Sequence, residues 1–534
     1  MENSNFIRTI IEEDLASKKH DHIITRFPPE PNGFLHLGHA RSIIMNYTLA
    51  KDFGGTFNLR FDDTNPVKED ATFIDAIKKD ITWLGCHWDH EFYASDYFEE
   101  MYERASLLIK KGLAYVDDSS AIAIKEQRGD LKTPGLNSPF RDRSIEENLE
   151  LFQAMRKGQY QDGEKVLRAK IDMAHPNMNM RDPVLYRIQH AHHHRTLDAW
   201  CIYPMYDYAH PLEDAIEGIT HSLCTLEFED HRPIYDWVVE HCEMPKIPRQ
   251  IEFGKLRIKN EIQGKRFINQ LVNQNVIDEY DDPRLITLSG LRNKGIPVKA
   301  IHQFIHALGL PKSEGETELA MLDEEVRQVL SDTPRVHMIK NPLKVTITNY
   351  PEGQVEMLET KWFTEGSDAS RALPFSRHLY IEKDDFLPEK PNKKWKRLSL
   401  GLEVRLMHAY FIKAEDMVLN DQGEVVEILA TYDPITKSGT DFNERKPNGN
   451  IHFVEATTAV RVSTQEYEPL LIEDADKTLP LEDILNPHAR VEYEALIEPH
   501  LPSDITYFQA IRLGFYLKTE KGIKRVVALK SSFR

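Results

Sequence analysis

HIITRFPPEPNGFLHLGHARS, residues 22–42, is the stretch on which the fold turns. Residues 22–26 are rich in β-branched side chains and predict a short strand. Residues 27–33 then bring three prolines, an asparagine and a glycine, which end any regular element. From residue 37 to residue 51 apolar side chains recur at helical spacing, and TFNLRF at Thr56–Phe61 alternates as a second strand. Strand, loop, helix and strand make the βαβ unit of a nucleotide-binding parallel sheet. At the junction of loop and helix stands His36-Leu37-Gly38-His39. A helix N-terminus offers backbone N–H groups and partial positive charge to an anion. Gly38 lets a ligand approach the backbone, and two imidazoles three residues apart project from one face of the first turn. Such a pair can donate hydrogen bonds to a phosphate chain as charge builds on it. Alone, H-x-G-H is more often two surface histidines. The preceding strand and following helix make it specific.

A phosphoryl-transfer site needs a second cation from elsewhere in the chain. Lys265-Arg266, in EIQGKRFINQLV, lies in a glycine-containing loop ahead of a helix, as a phosphate clamp should. Residues 96–199 mix helix-like and strand-like pieces around the polar loop RGDLKTPGLNSPFRDR, and read as an insertion interrupting the sheet. Residues 201–228 return to buried-strand and helix patterns, and residues 271–330 read as helical. From residue 337 the texture changes: KVTITNY, HLYIE, EVRLMHAYFIKAE and IHFVEA alternate with period two between turns, which predicts β-barrels.

With 534 residues the chain should divide into three to five domains. A hydrophobic content of 41% and charged content of 29% describe an ordinary globular protein. No run of 18 apolar residues predicts a membrane span, and the N-terminus lacks the apolar region of a signal peptide. Cys86, Cys201, Cys224 and Cys242 are scattered, which fits a reducing, cytoplasmic setting and argues against a structural zinc site. His190, His192, His193 and His194 cannot all face one ion, and no carboxylate is spaced to join them, so no metal site is expected there. The net charge of −19 looks wrong for a nucleic-acid binder, yet Lys and Arg fill five of the eight positions 390–397 around Trp395. Such a run is by default a solvated loop, but an aromatic among cations also suits a stacked base over a phosphate contact.

RFPPEPNGFLHLGHARS resembles the first signature of class I aminoacyl-tRNA synthetases, in the form of the glutamyl/glutaminyl branch. FDDTNPVKED, RDPVLYRI, YPMYDYAHPLEDAIEGITHSLCTLEFEDHR, DDPRLITLSGLRNKGI and FQAIRLGFY are similar to that branch too, in the expected order. The resemblance implies a Rossmann catalytic domain over 1–95 and 200–264. It further implies an acceptor-stem insertion over 96–199, a helical subdomain over 265–335, and two anticodon-binding β-barrels over 336–534. It implies ATP-dependent attachment of L-glutamine to tRNA(Gln) through a glutaminyl-adenylate, with AMP and pyrophosphate released and Mg²⁺ carried on the phosphates. It also implies a monomer and no membrane partner. His36, His39 and Lys265 would stabilise transition-state charge. Glu30, Pro31, Asn32, Leu37, Gly38, Ala40, Arg41, Ser42, Thr225, Lys255, Leu256, Gln263 and Gly264 occupy ATP-contact positions. The family's second signature usually reads M-S-K, where this chain has Gln263-Gly264-Lys265. The lysine is kept and the serine hydroxyl is lost, which leaves open a catalytically weak tRNA-binding paralogue.

By the same resemblance Asp62 would hold the substrate ammonium, with Tyr206 and Gln250 facing the carboxamide and Arg26, Cys224 and Phe228 lining the site. A glutamate site would favour a cation at Cys224 or Gln250, so these two speak against a non-discriminating glutamyl enzyme. Arg335, Lys396, Arg397, Arg405, Gln509 and Arg512 match anticodon contacts. Met407 stands where the family often has a further arginine. Leu131 matches an apolar wedge at the acceptor end, and Asp230 a reader of the acceptor-stem minor groove.

Overall fold

The computed structural model describes residues 5–67, 71–259, 261, 264–363, 367–472, 474–476, 478–499 and 501–530. Gln263 and the Lys265 side chain, both expected at the ATP site, lie outside these described residues.

The chain forms two compact units. The first comprises residues 1–280, 286–289 and 305–317, and the second residues 281–285, 290–304 and 318–534. Segment 265–335, expected as one helical subdomain, is therefore shared between both.

In the first unit β1 (Ile24–Phe27) pairs in parallel with β2 (Thr56–Phe61), and β2 with β3 (His90–Tyr93). Helix α1 (Phe6–Ala16) is capped by the Asn5 side chain, which accepts from the Ile7 and Arg8 amides. Its Ile7 and Ile11 pack with Ile23, Leu49, Leu223 and Phe253. The crossover from β1 to β2 is α2 (Leu37–Asp52), and α3 (Ala71–Trp83) leads on to β3. The segment after β3 builds α4 (Phe98–Lys110), β4 (Ala114–Asp117), α5 (Ala121–Gln127), α6 (Ile145–Arg156), β5 (Val166–Ala169) and β6 (Val184–Ile188). β7 (Ile202–Pro204) pairs antiparallel with β6 and completes a four-stranded sheet β4-β5-β6-β7. The insertion sheet thus reaches past the expected boundary at 199. Ile202–Pro204 is buried and apolar, as a returning sheet strand would also be, so only the pairing distinguishes the two.

The parallel sheet resumes with α7 (Tyr206–Glu217), β8 (His221–Thr225), α8 (Arg232–His241) and β9 (Arg249–Phe253). β8 and β9 pair in parallel, and the Thr220 amide donates to the Ile24 carbonyl at 3.0 Å, seating β8 beside β1. β10 (Leu256–Ile258) precedes α9 (Lys265–Asn273) and pairs in parallel with β11 (Gly315–Thr317). β11 falls inside the stretch expected to be helical. Gly309 and Pro311 end the helix Val298–Leu308 and release the chain into an extended path.

The second unit holds two seven-stranded sheets. In one, Glu403–Leu406, Phe411–Leu419, Val425–Asp433, Pro342–Ile347 and His378–Glu382 lie side by side. In the other the corresponding run is Tyr507–Ala510, Gly514–Thr519, Gly522–Ala528, Val460–Tyr467 and Arg490–Ile497. Arg335–Val336 and Met338–Ile339 join the edges of this second sheet before the chain enters the first. Alternating burial along His378–Glu382 is the period-two pattern of the sequence, with Leu379 and Ile381 inward.

Candidate active site

The carboxyl ends of β1 and β8, the loop after β1 and the start of α2 enclose a cavity of about 440 Å³. Open parallel sheets place ligands in this position. Its lining brings together most of the residues expected at the site: Arg26, Glu30, Asn32, His36, Gly38, His39, Arg41, Ser42, Asp62, Tyr206, Cys224, Thr225, Phe228, Lys255 and Leu256.

His36 is the N-cap of α2, and its Nδ1 accepts from the Gly38 amide at 3.0 Å. His39 Nδ1 accepts from the His36 amide at 3.1 Å, closing a reciprocal capping box. Each ring therefore carries its proton on Nε2 and is set as a donor. Burial, with Lys255 nearby, lowers His36 to about 4. Burial, His36 and Lys255 push His39 well below its ordinary value. Both imidazoles are neutral at pH 7. The ring centroids stand 3.9 Å apart, a spacing that two imidazolium ions would resist.

The backbone N–H groups expected to be free at this helix end are engaged within the fold. The Leu37 amide donates to the Ile286 carbonyl at 3.0 Å, and the His39 and Ala40 amides donate to His36 O. The Gly38 amide is spent on the His36 ring. The donors presented by this end are imidazole Nε2–H groups instead. Gly38 has a matching role: a Cβ there would stand 2.8 Å from His36 Cε1, so a side chain would displace the capping ring.

Arg41 is 3% exposed and donates to the Gly254 and Gly309 carbonyls, fastening α2 to the chain around β10. Lys255 Nζ pairs with Glu227 at 3.0 Å. Thr225 Oγ1 is buried with no hydrogen-bond partner among the described residues, a polar group available to a ligand. Glu30 accepts from Asn32 Nδ2. Pro31, Leu37, Ala40 and Gly264 do not line the cavity.

At the amino-acid end, Asp62 is buried and accepts from Thr64 Oγ1 at 2.8 Å. Burial, with Glu30 and Asp63 adding repulsion, raises its carboxyl to about 6. Tyr206 stacks on His210 at 5.0 Å and lies 5.3 Å from the Phe228 ring. Burial pushes the Cys224 thiol up, so the group is neutral. Two expected contacts differ. Arg26 lines the cavity, yet its guanidinium donates to Asp214, the Leu223 carbonyl and Ser222 Oγ and contacts His210, leaving at most one N–H for a ligand. Gln250 is absent from the lining, and its Nε2 donates to Phe228 O at 3.1 Å and Glu252 at 2.9 Å. It braces the wall behind Phe228 rather than forming the surface.

Sequence reasoning missed the layer beneath. His210, Glu213, Asp214 and Glu217 share one buried face of α7 against Arg26 and Arg60. Burial would raise Asp214, but Arg26, His210 and Arg60 outweigh it and hold it well below the carboxylate range. Burial raises Glu217 to about 7 and Glu213 well above its ordinary value. The helical spacing of these acids was a legible signal; their partners on β1 and β2 were not.

The expectation that no carboxylate meets the histidine run is also corrected. Asp63 lies beside His193 and His194, with His194 Nε2 at 3.2 Å from its Oδ2. His193 is not left as a ligand, because its Nε2 bonds the Asp63 carbonyl at 2.8 Å and its Nδ1 accepts the Arg195 and Thr196 amides. The cluster braces the backbone next to Asp62.

In the insertion Leu131 is 85% exposed. Asp230 is exposed, and its carbonyl accepts from Asn177 and Asn179.

In the second unit the basic run is not a loose loop. Asn448 Nδ2 donates to the Trp395 and Arg397 carbonyls, and a Cβ on Gly449 would fall 1.7 Å from Lys396 O. Buried Asp385 binds Arg512 through both oxygens, at 2.5 and 2.7 Å, and Arg397 Nε at 3.3 Å. That grip holds Arg512 at φ 70°, a conformation rare outside glycine. Lys394, Trp395, Lys396, Arg397 and Arg512 together line an open cavity. Strand register sets Arg335 beside Gln509. Arg405 lies over the Phe411 ring at 4.3 Å and donates to Thr436 O. Five of the six expected contacts thus fall in two groups, Lys396 with Arg397 and Arg512, and Arg335 with Gln509.

A parallel sheet whose crossover helix α2 begins at two imidazoles, each accepting a backbone amide through Nδ1, in a chain that also carries two seven-stranded sheets, has the features of a class I aminoacyl-tRNA synthetase. Residues 22–332 match the family described as tRNA synthetases class I (E and Q), catalytic domain. Residues 333–433 and 450–518 match that family's anti-codon binding domains. The glutamine--tRNA ligase of Clostridium perfringens is 52% identical over 100% of this chain and 99% of its own length. That of Clostridium kluyveri is 50% identical over 100% and 98%. A solved glutamate tRNA ligase from Elizabethkingia meningosepticum has a TM-score of 0.43 and 18% identity, covering 58% of this chain and 69% of that one. The chain belongs to the class I tRNA synthetases of the E and Q group.

Proposed function

We propose that this chain joins L-glutamine to tRNA(Gln). ATP and glutamine first give glutaminyl-adenylate and pyrophosphate; the acyl group then passes to the terminal adenosine of the tRNA and AMP leaves. The observation that carries this reading is one cavity holding both kinds of recognition. The Nε2–H donors of His36 and His39 stand at one part of it, and Asp62, Tyr206 and neutral Cys224 at another.

The α-carboxylate of glutamine attacks the α-phosphorus in line, and negative charge grows on the departing phosphates. His36 and His39 answer that charge as preset neutral donors, with nothing to reorient during the reaction. Asp62 holds the ammonium, and Tyr206 and Cys224 offer an uncharged surface to the carboxamide. Lys265 is assigned to the phosphates by its place in the second signature. The residues present suit ATP, with the unpaired Thr225 hydroxyl, Lys255 and the imidazoles on one wall. Mg²⁺ would neutralise phosphate charge and arrive with the nucleotide, because Glu227 is engaged by Lys255 and Glu30 by Asn32.

Residues 96–204 take the acceptor end and residues 336–534 the anticodon in this proposal, with Leu131, Asp230, Arg335, Lys396, Arg397, Arg405, Gln509 and Arg512 in contact. The enzyme acts as a cytoplasmic monomer. Among the described residues no helix is long and apolar enough to cross a membrane. Pyrophosphate exchange into ATP, measured with and without tRNA, tests the first step. Exchange should depend on glutamine, and exchange supported equally by glutamate would count against the reading.

A further inference from the structure

The parallel register of β8 and β9 sets Ser222 opposite Gln250 and Cys224 opposite Glu252. Residues opposite one another on neighbouring strands share a face. The Glu252 backbone is therefore one strand spacing, about 4.8 Å, from that of a cysteine that lines the amino-acid cavity, with both side chains on one face. Glu252 is 5% exposed. Its Oε1 accepts from Gln250 Nε2 and from Arg232 Nε, each at 2.9 Å, and its Oε2 accepts from Arg232 Nη2.

Two consequences follow from elementary chemistry. A carboxylate can only accept, so Glu252 fixes the Gln250 amide with its nitrogen toward Glu252 and Phe228 O, leaving the Oε1 acceptor as its remaining group. The anion is also more deeply buried than its counter-charge, since the Arg232 side chain is 44% exposed and the Glu252 side chain 2%. Water screens the arginine more than the carboxylate, so the Cys224 side of the cavity faces a residual negative charge.

We infer that Glu252 is a specificity-determining residue, whose buried carboxylate behind the wall makes the Cys224 side of the cavity electronegative. A carboxamide brings N–H donors and no charge to that side, whereas the carboxylate of glutamate brings a second anion. Glu252 acts through Gln250 and through space, so it is a positioning residue. The inference rests on the proposal that glutamine is the substrate.

The test is aminoacylation of tRNA by the full chain with labelled glutamine and, separately, labelled glutamate. Glu252→Gln removes the charge while keeping the shape. It should lower the glutamine-to-glutamate ratio of kcat/KM by about tenfold, the scale of one nearby charge at a partly solvated site. Arg232→Ala leaves Glu252 uncompensated and should raise the same ratio. Should Glu252→Gln fail to fold, the rise in Arg232→Ala decides alone. A ratio that stays fixed while both substrates slow together would make Glu252 purely structural and overturn the inference, as would a fall in both variants. Wild-type protein that charges glutamate as readily as glutamine would instead overturn the underlying reading, before any variant is compared.

Discussion

Replacing His39 by alanine removes two interactions at once, and the geometry says what each is worth. The Nε2–H donor is lost from the cavity. Loss of one preorganised donor aimed at developing charge typically slows the chemical step by roughly 10²–10³-fold, or about 2.7–4 kcal/mol. The ring also gives up its bond from the His36 amide, half of the capping box that starts α2. Losing such a cap costs about 0.5–2 kcal/mol of stability. The prediction is a roughly 10²-fold or greater fall in adenylate formation, a lower melting temperature and nearly unchanged tRNA affinity. Single-turnover formation of adenylate with saturating ATP, glutamine and tRNA measures the first, and filter binding the last. The pH dependence adds an independent check. Because burial holds His36 at about 4 and His39 well below its ordinary value, the chemical step should show no histidine titration between pH 6 and 8. An unchanged rate in His39→Ala would refute the reasoning. So would a wild-type rate that falls through an apparent pKa near 6.5 and loses that dependence in the variant.

Asp62 gives a pH prediction of opposite kind. Its carboxyl is raised to about 6, and substrate ammonium favours the ionised form, so glutamine binding is full above that pH and lost below it. KM for glutamine should rise about tenfold per pH unit below 6, and a flat profile would remove Asp62 from the ammonium site. Cys224→Arg should raise glutamate use relative to glutamine, because a cation pairs with the carboxylate and costs the amide its neutral surface. An unmoved kcat/KM ratio would place Cys224 outside the pocket. Arg397→Ala should weaken tRNA binding by an amount that depends on the anticodon base, about 1–3 kcal/mol if it reads a base edge. A uniform loss with a shallower salt dependence would mean a phosphate contact instead.

What the sequence disclosed was local. The strand, the proline-rich loop and the first helix were legible because period, breakers and the H-x-G-H tetrapeptide all fall within 22–51. The period-two texture after residue 337 likewise announced the sheets of the second unit. What stayed hidden depends on long-range pairing. β7 reads as an ordinary buried strand until it pairs with β6. Asp63 and His193 are 130 residues apart and meet only in the fold. Gln250 carries the right chemistry for a carboxamide partner, but register with Ser222 and a bond to Glu252 hold it behind the wall. Asp385 sits in a KDDF run that offers no motif, yet it fixes both Arg397 and Arg512. The α2 terminus shows the subtler gap. Sequence named both histidines, but only the fold shows them consuming backbone donors of that helix end and replacing them with their own.

The most direct test of the account is charging of total tRNA with labelled glutamine and labelled glutamate in parallel, followed by sequencing of the aminoacylated species. The account predicts glutamine on tRNA(Gln) and little glutamate on any species. Glutamate on tRNA(Glu) or tRNA(Gln) at a comparable rate, or no charging by protein that still binds tRNA, would contradict it.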